Sequence, residues 1–369
     1  MAVDADLAVV SSPLQYMNAV EWRASRAGTA CDLVLIGDRH GAGGMIDLLM
    51  RRRAPWRRVI RHGRRPRPPR AVPRFLRDLL DAAHRVSLER LAAGLAGAPR
   101  GAVALGDYRN VSQRLLVDRI CAQETVLLDD GSVTPQAAAF RADPANAPEP
   151  RQFDLAWFRT AAARRLFGDP LLPEPERLTF FTIYGPLLEG RLRASDRLAQ
   201  NDYSSWRAAA GDAPRGASAW LIGADHAEAG ICAHADYRAL ALGAAQRLRE
   251  EGRRPVIYRP HRGEDVRKAA EIAEAGGMTL GVSTAPAELD YLDAAERPAT
   301  VAVVASSVAD TLAVLDPELD LARIAPPPAY LRKRADHIRA VIAAHDAFNQ
   351  SLRVIHLDRP SSSAIGGAP

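Results

Sequence analysis

The sequence predicts an α/β protein of two Rossmann-like domains with parallel sheets, and three observations lead there. Short apolar runs alternate with longer amphipathic stretches in two separate series, over residues 6–135 and 218–312. Several of those runs, such as TVAVVA at 300–305, are continuous in Val and Ala, as strands buried on both faces require. Each run then breaks into Ser, Gly, Asp or His before helical sequence resumes. In an open parallel sheet such breaks are the carboxyl ends of strands, where ligands bind.

In the first series DLAVV at 6–10 is a strand, and SSPLQYMNAVEW follows it at once. Ser12 suits an N-cap and Pro13 the first helical position, where its missing N–H costs nothing. CDLVLIGDRH at 31–40 predicts a second strand ending at Gly37, and residues 73–98 an amphipathic helix. AVALGDYRN at 102–110 predicts a strand ending at Gly106, with a helix over 111–122. TVLLDDGSVTP at 125–135 predicts a strand that ends in two carboxylates and a glycine. Residues 136–215 are broken by Pro and Gly and read as loop and short helix, with an interdomain linker over 207–216.

The second series runs SAWLIG at 218–223, a helix over 234–252, VIY at 256–258, a helix over 264–276, MTLGV, PAEL, TVAVVA and a helix from 307. A stiff APPPAY turn at 325–330 precedes a helix over 331–348, a strand-like RVIHL and a Ser/Gly/Pro tail that reads as disordered. The expected domains are therefore 1–206 and 217–330, followed by a C-terminal helix and tail over 331–369.

Composition narrows the class. A hydrophobic fraction of 47% and a charged fraction of 25% are those of a soluble globular protein. Cys31, Cys121 and Cys232 are sparse and far apart, which predicts a reducing, cytoplasmic setting without disulfides or a zinc spacing. No apolar stretch approaches the roughly 20 residues of a membrane span. The net charge is +5, and the densest basic run, RRRAPWRRVIRHGRRPRPPR at 51–70, holds no acidic residue. That run would draw the protein peripherally to an anionic membrane surface; its plainer reading is a solvated loop and helix face. Nucleic acid is not an expected partner, because no recognition motif accompanies the arginines.

The strand breaks supply the candidate chemistry. Asp129 and Asp130 follow Leu127 and Leu128 directly, so one of the two would face a ligand if the strand persisted. Either could be a general base, or the pair could simply close the strand as a turn. His261 follows VIY and precedes a helix, where it could donate to a phosphate or protonate it. Ser306 or Ser307 would cap the helix beginning VADTLAVL, whose N-terminus is a ready phosphate site. Glu288 stands between these breaks in PAEL, and Gly223 opens GADHAE at another strand end.

Taken together, LLDDGS, YRPHRGED, PAEL and VASS, with Ser12, Pro13, Leu14 and Gln15 near the start, resemble the bacterial sialyltransferases of the lipooligosaccharide sialyltransferase and polysialyltransferase groups. The likeness is dense at 7–20, 102–135 and 218–312. It implies the GT-B architecture, two Rossmann-like domains facing across a cleft, and an inverting, metal-independent transfer of sialic acid from CMP-sialic acid to a glycan or glycolipid acceptor. No cofactor beyond the CMP-sugar donor is implied. The resemblance makes Asp129 or Asp130 the base and places His261, Ser306 and Ser307 at the leaving CMP phosphate. It gives Glu288 to the ribose or base and sets Ser12 and Pro13 beside the donor, which Gly223, from its strand end, could also contact. The family has Pro after this histidine; here Arg262 follows His261 and would itself contact a phosphate or carboxylate. Another CMP-ulosonic acid of the Kdo type, another nucleotide sugar, or a non-catalytic glycan binder on the same fold are the alternatives.

Overall fold

The computed structural model describes residues 5–26, 28–37, 42–69, 71–97, 100–131, 133–145, 153, 157, 160–168, 172–281 and 285–357. Ser132 of the LLDDGS motif, Arg70 of the basic run and the tail from 358 lie outside them. The chain divides into two compact units, Met1–Ala210 and Gly211–Pro369.

The first unit contains β1 (Asp6–Val10), α1 (Pro13–Ser25), β2 (Cys31–Ile36), α2 (Ala42–Arg52), β3 (Arg58–His62), α3 (Arg74–Leu95), β4 (Arg100–Leu105), α4 (Val111–Arg119) and β5 (Ala122–Leu128). It continues through α5 (Val133–Ala142), α6 (Ala161–Phe167), β6 (Thr179–Thr182), α7 (Gly185–Leu188), β7 (Arg197–Gln200) and α8 (Ser204–Ala209). Its seven strands are ordered β3-β2-β1-β4-β5-β6-β7 and every pairing is parallel. Leu7, Val9, Val34, Val103, Leu105, Leu127 and Phe180 anchor the core on one face of this sheet. Each such side chain contributes roughly 1.5–3 kcal/mol when fully buried.

Three stretches differ from the sequence expectation. The basic run is not all loop and helix face, because Arg58–His62 pairs in parallel with β2 as the sheet edge. Several of its arginines are also consumed internally: Arg57 and Arg58 bind Asp32, Arg61 binds Asp47 and Arg65 binds Asp81. Burial raises the affinity of Asp32 for a proton, but hydrogen bonds from Arg57, Arg58 and Arg100 outweigh it and hold the carboxyl below its ordinary value. Residues 136–215 contain two parallel strands, β6 and β7, besides the expected short helices. The four residues of each are too few to show a pattern between flanking prolines and glycines.

The second unit contains β8 (Ala219–Ile222), α9 (His234–Glu250), β9 (Val256–Arg259), α10 (Val266–Ala275), β10 (Thr279–Leu280), α11 (Ala287–Leu292), β11 (Thr300–Val303), α12 (Val308–Leu315), β12 (Asp320–Ala325), α13 (Ala335–Phe348) and β13 (Arg353–His356). The sheet order is β10-β9-β8-β11-β12-β13, again all parallel. Strand β12 is the third difference, lying in DLARIA where alternating charge hides the run. β13 pairs with β12, and α13 is tied to this unit by Arg323–Asp346 and Asp310–His345, so residues 335–356 complete the second sheet.

In each sheet the strand order reverses direction at one place, between β1 and β4 and between β8 and β11. Ligands of open α/β sheets bind at the carboxyl edge beside such a switch point.

Candidate active site

At the carboxyl edge of the first sheet, the turn after β1 is built by buried amides. Ser12 caps α1 by accepting from the Gln15 amide at 3.3 Å, and Pro13 opens the helix. Gln15 turns back so that its Oε1 accepts from the Ser11 amide at 2.8 Å and from Gln113 Nε2 at 3.2 Å. Gln113 Oε1 in turn accepts from the amides of Gly106 and Asp107. A Cβ on Gly106 would lie 2.5 Å from Gln15 Oε1, so this glycine lets β1 and β4 end against a shared amide cluster. Ser12 and Pro13 are buried, and the Ser12 hydroxyl is committed to its helix.

Asp129 sits one residue past β5 and is 2% exposed. Its backbone carbonyl accepts from Asn18 Nδ2 at 2.9 Å; Asn18 Oδ1 accepts in turn from Asn201 Nδ2 at 3.1 Å and from the Tyr203 hydroxyl. These bonds lock α1 to the ends of β5 and β7. The Asp129 side chain accepts from the Ile183 amide through Oδ2 at 2.7 Å, whereas Oδ1 is buried with no donor in hydrogen-bond geometry among the described residues. The buried Thr134 hydroxyl makes no hydrogen bond of good geometry among the described residues, yet it still favours the ionised form of the Asp129 carboxyl. Burial lifts the Asp129 carboxyl to about 7, against the opposing pull of Thr182, Ile183 and Thr134. A buried carboxyl with one unsatisfied oxygen is costly, and such groups concentrate where chemistry is done. Asp130 is half-buried. Of the two carboxylates the sequence left open, Asp129 is the buried one, and its affinity for a proton is raised.

The second unit gathers its candidates at the ends of β8, β9 and β11. The Gly263 amide donates to His261 Nδ1 at 3.1 Å, which makes Nδ1 the acceptor and leaves the proton on Nε2. Asp225 Oδ2 lies 3.8 Å from the same nitrogen, too far to compete. Burial holds the imidazole below the ordinary histidine value, partly offset by Asp225, so His261 presents a neutral N–H donor.

Glu264, which sequence reasoning passed over, holds this turn. Its Oε2 accepts from the His261 amide at 2.6 Å and its Oε1 from the Tyr258 hydroxyl at 2.5 Å. The Tyr258 and Tyr237 hydroxyls are 2.8 Å apart, and Tyr237 accepts from the Ala224 amide at 2.7 Å. Burial raises Glu264 to about 7. Gly223 acts through Glu264: any Cβ there would overlap its carboxylate and come 2.8 Å from the Tyr258 hydroxyl. The signal available in the sequence was the glycine beside a strand end with an acid three residues past the histidine.

Ser306 and Ser307 precede α12, and it is Ser306 Oγ that accepts from the Val308 amide, at 3.3 Å, while Ser307 makes no cap bond. Glu288, in the first turn of α11, is 4% exposed, and burial raises its carboxyl. Arg262 bears on Glu288 electrostatically, opposing that rise, so the residue replacing the expected proline faces a carboxylate from the histidine turn.

Among the described residues no three His, Cys, Asp or Glu side chains are grouped to hold a metal ion. A cavity of about 90 Å³ lies at the carboxyl edge of the first sheet against Ser11, Gly37, Ile46, Arg61 and His62. The larger cavity, about 340 Å³ and lined by Arg114, Cys121, Glu124 and Arg177, opens at the opposite, amino edge, away from every candidate residue.

No protein-family profile matches the chain, and no curated protein sequence does. Solved structures do match. A UDP-glucosyltransferase from Polygonum tinctorium capable of glucosylating indoxyl aligns with 98% of this chain and 87% of its own, at 13% identity and a TM-score of 0.50. LpCGTa in complex with UDP aligns over 96% and 84%, at 12% identity and 0.54. A Listeria monocytogenes protein described as a UDP-N-acetylglucosamine 2-epimerase aligns over 96% and 92%, at 10% identity and 0.52. Identities this low speak to architecture alone. The chain has the GT-B fold, two Rossmann-like domains each built on a parallel sheet.

Proposed function

We propose that this protein is an inverting glycosyltransferase that moves an acidic sugar, sialic acid, from its CMP conjugate to a glycan hydroxyl. The observation that carries the reading is Asp129, a buried carboxyl lifted to about 7 at a strand end, with one oxygen unsatisfied. Such a group is ionised in part at neutral pH and still basic enough to take a proton in the transition state. The acceptor O–H gives its proton to Asp129 as its oxygen forms the new bond to the anomeric carbon. The anomeric C–O bond to phosphate breaks from the opposite side, and its electron pair leaves with CMP. His261 Nε2–H, the positive N-terminal end of α12 and the Ser307 hydroxyl would supply the attraction and donors for the departing phosphate. Glu288 suits ribose hydroxyls, which a buried carboxylate accepts well. On this reading the transfer proceeds without a metal ion.

The choice of CMP rests on the resemblance of LLDDGS, YRPHRGED, PAEL and VASS to the bacterial sialyltransferases. A UDP-sugar donor is the second reading, favoured by the LpCGTa structure, which was determined with UDP. Thermal shift separates the two, since a ligand stabilises in proportion to its affinity. CMP is expected to raise the melting temperature more than UDP or GDP, and release of free CMP from CMP-sialic acid is expected to persist in EDTA. A preference for UDP removes the CMP assignment; loss of activity on chelation, restored by magnesium, removes the metal-free one.

A further inference from the structure

Helix α3 carries apolar residues on both its inner and its outer side. Its inner side carries Asp78 and His84, 4% and 7% exposed, with Ala82, Leu88, Ala92 and Leu95. Asp78 is satisfied there by the amide and hydroxyl of Thr160, and His84 by Ser112 Oγ at 3.2 Å. The outer side carries Phe75, Leu76, Leu79, Leu80 and Val86, each 37–49% exposed. At about 100° per residue these five, with Ala83 among them, fall within an arc of about 140°. A contiguous apolar stripe of this kind is an interaction surface rather than scattered exposure.

Its surroundings say what covers it. Residues 48–77 hold twelve arginines and no acidic residue. The segment after β3 is tied along α3 by Arg65–Asp81, at 2.7 Å, and by His62 Nε2 to Ser87 Oγ, at 3.0 Å. Arg57, Arg58, Arg61 and Arg65 are spent in ion pairs, but Arg64, Arg67 and Arg74 are exposed and make none among the described residues. An apolar helical stripe beside unspent cations matches the two layers of an anionic bilayer surface, acyl chains for the stripe and headgroups for the arginines. A second copy fits poorly: a two-fold interface on this stripe would set the arginine rims against each other.

We propose that α3 docks this protein on an anionic lipid bilayer, with Phe75, Leu76, Leu79 and Leu80 entering the acyl boundary and Arg64, Arg67 and Arg74 on the headgroups. This goes beyond attraction by the basic run, since it requires the leucines. The test is flotation of the full chain with vesicles of phosphatidylcholine, alone or mixed with phosphatidylglycerol. The expected result is binding to the mixed vesicles, far weaker binding to phosphatidylcholine alone, and a loss of about tenfold or more in Leu76→Ser/Leu79→Ser/Leu80→Ser. Arg64→Glu/Arg67→Glu/Arg74→Glu should abolish binding to the mixed vesicles. These positions are exposed, so the melting temperature should hold and the loss is not unfolding. No binding to mixed vesicles overturns the proposal, as does undiminished binding by the triple Leu→Ser variant. A dimer in solution that the same Leu→Ser variant dissociates would assign the face to a second copy instead.

Discussion

Past the end of β5, Asp129 is enclosed: its backbone is pinned by Asn18, Oδ2 is taken by Ile183, and the side chain is 2% exposed. Past the end of β9, His261 is half-buried on a turn, with no bond to its Nε2 among the described residues and its amide held by Glu264. The first edge keeps one group dry and raises its basicity. The second, on the proposed function, would offer hydrogen-bond donors to an incoming anion. A proton acceptor gains from desolvation, because burial destabilises its charged form. A phosphate site gains from access and from donors already in place. The contrast predicts that substitutions at the first edge change chemistry and those at the second change binding.

The largest effect expected is from Asp129→Asn, which keeps the Ile183 hydrogen bond but removes the proton acceptor. Turnover should fall by about a hundredfold or more, while calorimetry finds CMP affinity little changed. Asp130→Asn should cost less than about tenfold under the same assay; a larger loss there than at Asp129 would exchange their roles.

The same substitution should alter stability in the opposite sense. The native state holds the Asp129 proton between 3.8, the ordinary value, and about 7. That contribution is complete below the unfolded value and is lost as pH rises through about 7. Asp129→Asn should therefore stabilise the protein at pH about 8, by up to a few kcal/mol, and the gain should fade toward pH about 4. Denaturant unfolding at the two pH values reads this directly, and a variant less stable than the parent at pH about 8 would contradict the raised carboxyl.

At the second edge, Gly223→Ala forces a methyl into the Glu264 carboxylate. Overpacking of this kind costs about 1–3 kcal/mol, and because Glu264 holds the His261 amide, CMP affinity should drop with it. Unchanged stability and affinity would show that Glu264 is not seated there. Ser306→Ala with Ser307→Ala should be mildest, weakening CMP binding a few-fold, since the backbone amides at the start of α12 still donate. A hundredfold loss of turnover at unchanged affinity would move the serines from binding to chemistry.

How legible these edges were depends on what holds them. Val301–Val304 and Leu7–Val10 announce buried strands because both faces are apolar, and the residues that follow them mark strand ends unaided. Residues fixed by tertiary contact carry no such local sign. Gln15 and Gln113 are ordinary helix residues until Gly106 brings two strand ends against them. Glu264 gains its meaning only when Gly223, 41 positions earlier in the numbering of the chain, vacates the space it fills. Asp129 and Asp130 are chemically identical in sequence, and it is the Ile183 amide, just past the unforeseen strand β6, that separates them. The outward stripe of α3 was hidden in a similar way, because its period is that of any amphipathic helix and only packing decides which side turns inward.

The pH dependence of kcat/KM for sugar transfer, measured on the parent and on Asp129→Asn, tests the central claim most directly. A base lifted to about 7 by burial predicts a rate that rises with pH through a midpoint near that value, and a residual rate in Asp129→Asn without that limb. A midpoint in the ordinary aspartate range, or an unchanged limb in Asp129→Asn, would contradict it.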